Sequence, residues 1–405
     1  MMQKNIRPDA ARELLAAQNA ITHTEVVTLS EARGRVLASD FIAVIDNPPF
    51  DRSAFDGYAL RSADITGASQ ENPVTLAIDE EIPAGRAPRF ATESGHAAKI
   101  LTGAPVPEGA DAVIKFELTE YTDERVTVTG PLRSGENVIY AGEDFARGRV
   151  VLPAGSLITP AMLGVIASQG LDSTEVFTKP LATMVNVGSE IVRPGTPLPP
   201  AKIYNSSRYS LEGYIRELGM EFADGGVVPD DPERIAAAVR TAAACSDLVI
   251  TTGGASTGDY DFAAATAELV GGNVLFWKVA MRPGGALLAY MLGETMVLSL
   301  SGSPGAAVLG LVHIAHPYIR KLCGRSDVWP EECLLRLAEA QTRKNPVTRI
   351  LRGNLAIKSG EAVFVAEATQ RGGDLASLIA ADVLVLIPAG TPPLEAGALV
   401  QAFRI

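Results

Sequence analysis

The chain is poor in the residues that build metal centres and covalent frameworks: 4 histidines and 3 cysteines among 405 residues. Cys245, Cys323 and Cys333 are odd in number, widely spaced and form no CxxC pair, which excludes a disulfide frame or thiolate zinc site and fits a reducing compartment. Positive charge is also in short supply, with 35 basic against 47 acidic residues and a net charge of −12. That deficit argues against a nucleic-acid partner, because such binding rests on neutralising phosphates. No apolar run reaches the ~18–20 residues that a membrane helix needs. Residues 1–17 mix charge with helix formers and do not read as a signal peptide. The expectation is a cytoplasmic protein with no membrane and no nucleic-acid partner. An anionic small ligand remains compatible with it, provided a local basic patch, helix N-termini or a bound cation receives the charge.

What is present describes an ordinary globular chain, 47% hydrophobic and 20% charged. Its length exceeds what one core usually supports, so two to four domains are expected. Residues 7–46 read as helical, with a first helix through Ala11 and Leu15 and a second starting at Ser30-Glu31-Ala32. From residue 48 to about 138 short β-type runs at 74–78, 97–102, 112–116 and 125–129 are separated by Gly and Pro. Residues 139–177 turn helix-like again around 160–166 and return the chain towards its N-terminal region.

Between 181 and about 322 strands and helices alternate. Runs at 181–187, 248–250, 274–279 and 295–300 predict strands; 207–218, a helix capped by Asp231 before Pro232, and a long helix carrying Val308, Leu311, Val312, Ala315 and Ile319 predict the layers over them. This rhythm implies a mostly parallel sheet covered on both faces. After Pro330 the texture becomes β-like at 349–357, 362–368, 383–387 and 398–403. The division read from these shifts is 1–47 with 139–177, 48–138, 178–326 and 327–405.

The most informative stretch is Pro48-Pro49-Phe50-Asp51-Arg52-Ser53-Ala54-Phe55-Asp56-Gly57-Tyr58-Ala59, where prolines stiffen a segment presenting carboxylates and the Ser53 hydroxyl. In the α/β region three turns fall at the carboxyl ends of strands, where ligands of open α/β sheets bind. They are Gly188-Ser189-Glu190, residues 251–261 with Gly253, Gly254, Ser256, Asp259 and Asp261, and Ser301-Gly302-Ser303-Pro304-Gly305. Glycines there let backbone N–H groups approach an oxyanion. If Glu190, Asp259 and Asp261 share that crevice with a phosphate, each like-charge pair at 4 Å costs about 4 kcal/mol at an effective dielectric near 20. A divalent cation is then implied, and oxygen donors of this kind suit Mg²⁺. Arg208, Lys278 and Arg282 are the basic counterparts, Arg282 standing just before a Pro-Gly turn as an anion clamp. His313 and His316 lie three apart with no acidic or thiol neighbour in sequence and read as packing or surface residues.

Taken in order, residues 48–59, Leu101-Thr102-Gly103-Ala104-Pro105-Val106-Pro107, Gly142-Glu143-Asp144, residues 203–209, Thr252-Gly253-Gly254 and Arg282-Pro283-Gly284 resemble the molybdopterin molybdenumtransferase family along essentially the whole chain. The resemblance implies an elongated multidomain α/β plus β architecture. Its parts are a central three-layer molybdopterin-binding-like domain, a β-rich module, a helical linker region and a C-terminal β-barrel-like domain. It implies a homodimer, with the active site between the α/β domain of one subunit and the first two domains of the other. The substrates would be adenylylated molybdopterin and molybdate, and AMP would leave as the metal enters the dithiolene. The molybdopterin adenylyltransferase and cofactor-accepting molybdoenzymes would be partners. By motif position Asp56, Thr102, Asp144, Glu190, Asp230, Asp231 and Asp261 match functional residues. Glu190 and Asp261 match as Mg²⁺ ligands, Lys278 and Arg282 match as anion contacts, and residues 301–304 would lie against the ligand.

The chain departs from the family pattern at Ile139-Tyr140-Ala141, where arginines are usual, at Gly285 in place of a lysine, and at Ser301-Gly302-Ser303-Pro304 in place of Pro-Gly-Asn-Pro. These changes remove positive charge and favour, as alternatives, a tungstate preference or a paralogue that binds pterin as carrier, sensor or scaffold. An adenylyltransferase reading is opposed by the modules before 178 and after 326.

Overall fold

A computed structural model describes residues 3–20, 22–254, 262–358 and 360–405. The chain forms two compact units, one of residues 40–153 and 160–172, the other of residues 1–39, 154–159 and 173–405.

In the larger unit a seven-stranded sheet runs in the order Gln3–Ile6, Asn273–Val279, Leu288–Leu292, Thr295–Leu300, Leu248–Thr252, Leu181–Val187 and Glu221–Val228. The last four strands pair in parallel. Leu288–Leu292 is antiparallel to both its neighbours and is the one reversed strand of this sheet, which is otherwise parallel, as the strand–helix rhythm predicts. The central strands are apolar runs buried on both faces, and strand period two sorts their side chains into two cores. Ala182, Met184, Leu248, Ile250, Met296 and Leu298 pack with Leu211, Ile215, Val308 and Tyr318. Val185, Val187, Val249 and Val297 pack on the opposite face with Ile235, Val239 and Ala267. Helix Pro232–Ala243 starts at Asp231, whose side chain accepts from the Glu233 and Arg234 amides, as the Asp-Pro pair predicts.

The N-terminal stretch is less helical than its composition predicts. Helix Pro8–Ala16 is there, but Gln3–Ile6 joins the sheet edge, and Thr24–Thr28 pairs antiparallel with Ser173–Phe177. The second helix, Leu29–Ala32, has Thr28 and Glu31 in a capping box. At the other end of this unit five strands close into a barrel in the order Thr348–Lys358, Glu361–Ala366, Glu332–Leu337, Leu399–Arg404 and Val383–Ile387, the last pairing back to the first. Leu335, Leu351, Phe364, Val385 and Ala402 fill it.

The long helix expected after residue 304 is not uniform. Helix Pro304–Leu309 passes through a π-helical turn, Gly310–Ala315, into helix His316–Leu322. His313 and His316 are both buried beside Arg12, and the Nε2 atoms of both lack a protein partner. Burial, then the nearby charge of Arg12, lowers the His313 pKa to about 3. Burial, then Arg320 and Arg325, lowers that of His316 to about 4. Folded pKa values below the unfolded 6.5 mean that the unfolded chain binds more protons. Stability is therefore full above about pH 6.5 and falls as pH drops towards 4 and then 3, by at most ~1.4 kcal/mol per pH unit for each ring. Chemical denaturation at pH 7.5 and 5 is expected to show a lower midpoint at pH 5. In a His313→Leu, His316→Leu variant the difference should shrink; equal midpoints in the parent protein would contradict this origin.

In the smaller unit six strands order as Ala112–Lys115, Gly57–Leu60, His96–Ile100, Val74–Ile82, Arg125–Val128 and Thr119–Tyr121. Tyr58, Leu60, Leu76, Ala97, Ile114 and Val126 form its main core. Helix Pro160–Ser168 is followed by Gln169, whose buried side-chain oxygen accepts the Val44 and Ile45 amides at 2.8 and 3.0 Å.

Candidate functional site

In the larger unit three predicted turns leave the same edge of the sheet, because Leu181–Val187, Leu248–Thr252 and Thr295–Leu300 are adjacent and parallel. Asn273–Val279 points the same way, two antiparallel steps from Thr295–Leu300, so Lys278 emerges at that edge too. The turns crowd together. A Cβ at Gly253 would stand 2.1 Å from the Val187 carbonyl oxygen, and one at Gly302 would stand 3.3 Å from Gly253 Cα. Gly253 has φ +89°, a conformation that glycine adopts without penalty.

Beneath this edge lies a polar ladder that sequence reasoning missed. Buried Asn186 Nδ2 donates to Thr252 Oγ1 at 2.6 Å, and Asn205 Nδ2 donates to Asn186 Oδ1 at 2.9 Å. Asn205 also caps helix Ser206–Glu217 by accepting from the Arg208 amide. The available signal was one amide inside the apolar run Leu181–Val187. The ladder ties the second turn to the segment before Arg208 and fixes both.

The carboxylates divide by what they already hold. Asp230 accepts the Ser189 amide at 2.9 Å, so it pins the first turn, and Asp231 is consumed as the helix cap. Glu190 is exposed; its carbonyl accepts the Ile203 amide at 3.0 Å, but its carboxylate has no hydrogen-bond partner among the described residues, and its Oε2 lies 2.7 Å from where a Cβ on Gly188 would be. Asp261, with Ser256 and Asp259, lies outside the described residues. Among the described residues no group of three or more His, Cys, Asp or Glu is placed to hold a metal ion.

The cations divide likewise. Arg208 is engaged by Asp224 at 2.7 Å and by Glu212 at 3.1 Å, so its charge is already met, unlike the open anion contact expected of it. Lys278 has φ +67°, an uncommon backbone state for a side-chain-bearing residue, and its Nζ lies 4.5 Å from the Trp277 ring centroid. Arg282 is exposed with no carboxylate within ion-pair distance among the described residues. Gly285 is a glycine for space: a Cβ there would meet the Met281 and Val279 carbonyl oxygens, each at 2.5 Å. A lysine at 285 therefore requires a different backbone path. In the third turn Ser301 Oγ accepts the Ser303 amide at 3.2 Å, and Pro304 begins the helix.

In the smaller unit residues 51–56 and 102–106 are laced into one piece. The Ser53 amide donates to the Ala104 carbonyl and the Gly103 amide to that of Ser53, both at 2.9 Å. Asp56 Oδ1 accepts both the amide (2.7 Å) and the hydroxyl (2.8 Å) of Thr102, and these bonds, the amide's first, lower the Asp56 pKa. Asp144 accepts from Asn47 Nδ2 at 2.8 Å, while buried Ser53 turns its hydroxyl to the Phe55 carbonyl. Asp51, which sequence reasoning left without a role, accepts the Ala141 amide at 2.7 Å and so secures the turn before Gly142. Replacing Asp56 with Ala should raise hydrogen exchange at the Thr102 amide by about tenfold or more without altering the far-ultraviolet spectrum. Unchanged exchange would show that this carboxylate does not hold the turn.

Three family profiles match the chain in succession. The MoeA N-terminal region (domain I and II) matches residues 6–170, a probable molybdopterin binding domain matches 183–321, and the MoeA C-terminal region (domain IV) matches 335–404. A molybdopterin molybdenumtransferase of Staphylococcus aureus is 33% identical over 371 residues, covering 92% of this chain and 88% of the relative. One of Staphylococcus epidermidis is 31% identical over 383 residues, covering 94% and 91%. The crystal structure of a molybdopterin biosynthesis MoeA protein from Pyrococcus horikoshii superimposes with a TM-score of 0.83 at 30% identity, covering 98% of both chains. Identity of this order over almost the full length, joined to the same fold, places the chain in the molybdopterin molybdenumtransferase family.

Proposed function

We propose that this chain is a molybdopterin molybdenumtransferase. It takes adenylylated molybdopterin and molybdate, places the metal on the dithiolene, and releases AMP as the pyrophosphate bond is hydrolysed. The observation that carries this reading is the convergence of the Gly188, Gly253 and Ser301 turns with Lys278 on one sheet edge. Backbone N–H groups and the Lys278 ammonium suit a diphosphate, and Arg282 follows on the same strand-to-strand connection.

Glu190 fits Mg²⁺, since its carboxylate is a hard oxygen donor with no hydrogen-bond partner among the described residues. Asp261 is its proposed companion. Mg²⁺ is commonly held by one or two carboxylates plus substrate phosphates and water, so a three-residue cluster is not required. When bound, the ion would neutralise diphosphate oxygens and favour departure of the nucleotide. The chain's own residues set the stage: Asp230 holds the first turn, the Asn186 ladder holds the second, and Lys278 and Arg282 orient the anion. Asp56, Thr102 and Asp144, all in the smaller unit, are further proposed functional residues. The same reading includes a cytoplasmic homodimer that receives adenylylated pterin and hands cofactor to molybdoenzymes. It also includes the four-part division at 1–47 with 139–177, 48–138, 178–326 and 327–405. No helix among the described residues is long and apolar enough to cross a membrane.

Expression in a bacterium lacking its own molybdenumtransferase tests the reading. Restored molybdoenzyme activity is the expected result. Failure of a soluble, folded protein to restore it at any molybdate supply would count against the proposal.

A further inference from the structure

In the smaller unit, residues 48–59 include one side chain whose exposure the local hydrogen bonds do not account for. Phe55 is 41% exposed, although its loop is held on both sides. The Ala54 amide donates to the Asn137 carbonyl at 3.0 Å, and the Phe55 amide donates to Ser53 Oγ at 3.3 Å. The Ser53 hydroxyl in turn donates to the Phe55 carbonyl, so this buried side chain is spent on keeping the Phe55 backbone in place. A ring fixed outwards in this way gains little from folding, and little loop freedom is lost when something settles on it.

One face of the ring is already covered. Lys115 sets its Nζ 3.8 Å from the Phe55 centroid, the shortest cation–π contact among the described residues. Lys99, on strand His96–Ile100 of the same sheet, pairs with Glu81 at 3.2 Å, whereas Lys115 has no ion pair among the described residues. The approach depends on Gly57. It pairs with Lys115 across the strands, and a Cβ there would stand 1.9 Å from the Ile114 carbonyl oxygen. Phe55-Asp56-Gly57 thus divides its tasks: a ring, a carboxylate that holds Thr102, and room for the strand that brings Lys115. With one face under the ammonium, the exposure that remains belongs to the other face and the ring edge. The cation also draws on the ring's π electrons, which favours a flat, electron-rich partner on the open face.

We propose that Phe55, backed by Lys115, is a stacking platform for a flat fused-ring nitrogen heterocycle of the substrate, and so a positioning residue next to Asp56. The proposal deepens the transferase reading and rests on it, since adenylylated molybdopterin carries two such rings, a pterin and an adenine. This class of group suits the site because it binds through its face. It needs no donor from the loop, whose Ala54, Phe55 and Thr102 amides are already used. A bare oxyanion would gain nothing from the ring.

Isothermal titration of the full-length protein with AMP and with neopterin monophosphate tests the proposal in the parent and in Phe55→Leu, Phe55→Tyr and Lys115→Met variants. Phe55 is exposed, so equal melting temperatures are expected and would verify that its variants fold. Phe55→Leu is expected to weaken the probe that carries the stacked ring by about tenfold or more. Phe55→Tyr should bind that probe as the parent does, and Lys115→Met should show a smaller loss. A loss for AMP alone assigns the platform to the adenine, and a loss for neopterin monophosphate alone assigns it to the pterin. In the AMP-release reaction Phe55→Leu should raise KM for adenylylated molybdopterin about tenfold while kcat stays within about twofold, and Phe55→Tyr should restore KM. Three results would overturn the proposal: neither probe bound more weakly by Phe55→Leu, no rescue by tyrosine, or a changed sedimentation mass of Phe55→Leu, which would make the ring a protein contact. A parent protein that binds a probe through Phe55 but releases no AMP would keep the ring site and remove the transferase reading. AMP release with unchanged KM in Phe55→Leu would do the reverse.

Discussion

Glu190→Gln is expected to lower Mg²⁺-dependent AMP release at least ~100-fold, equivalent to about 2.7 kcal/mol of transition-state stabilisation. Glutamine keeps the size and one carbonyl oxygen but removes the charge that a hard cation requires. The substitution should leave stability untouched, because the Glu190 side chain is exposed and holds no hydrogen bond to the described residues, and the carbonyl that accepts the Ile203 amide is unchanged. Its neighbour gives the contrast. Asp230 is committed to the Ser189 amide, so Asp230→Asn should act through position rather than metal, with a loss that extra Mg²⁺ does not relieve. A Glu190→Gln protein with full turnover would remove this residue from the chemistry.

Gly253→Ala carries the second large effect, on stability and turnover together. The new methyl group would meet the Val187 carbonyl oxygen at 2.1 Å, and that oxygen belongs to a central strand that cannot retreat without disturbing its neighbours. A left-handed backbone costs alanine about 1 kcal/mol and overpacking adds roughly 1–3 kcal/mol. The sum predicts a melting temperature lower by roughly 5–15 °C for a unit of this size. It also predicts loss of AMP release, because the displaced turn is the one that the Asn186–Thr252 bond holds against the site. Differential scanning calorimetry and a turnover assay on the same preparation would check both. An unshifted melting temperature would mean that the turn has freedom which the close approach denies it.

Much of this was legible in the sequence because local patterns carry it. The runs Leu181–Val187, Leu248–Thr252 and Thr295–Leu300 announce buried strands by continuous apolarity, and each ends at a glycine or serine turn. Asp231 before Pro232 announces a helix start. The turns converge on one edge for a topological reason that strand–helix alternation already contains.

What escaped the sequence reading depends on distance along the chain. Gln3–Ile6 has no apolar period and is a strand only because Asn273–Val279 offers it an edge. The pairing of Arg208 with Asp224 joins a helix to the following strand and makes an apparently free cation a structural one. The π-helical turn Gly310–Ala315 is hidden in a segment apolar all round, where helical period gives no warning. A cavity of about 690 Å³ ringed by Arg282, Arg343, Lys344, Arg349 and Arg371 draws on three separate stretches of the chain, so no window of sequence contains it. The missing lysine at 285 was visible, but its cause, two carbonyl oxygens 2.5 Å from any Cβ, was not.

The most direct measurement is AMP released by the purified protein from adenylylated molybdopterin, with and without molybdate and Mg²⁺. One AMP per molybdenum cofactor formed, requiring both ions, is the predicted result. Adenylylated pterin that binds tightly and is recovered intact in their presence would contradict it.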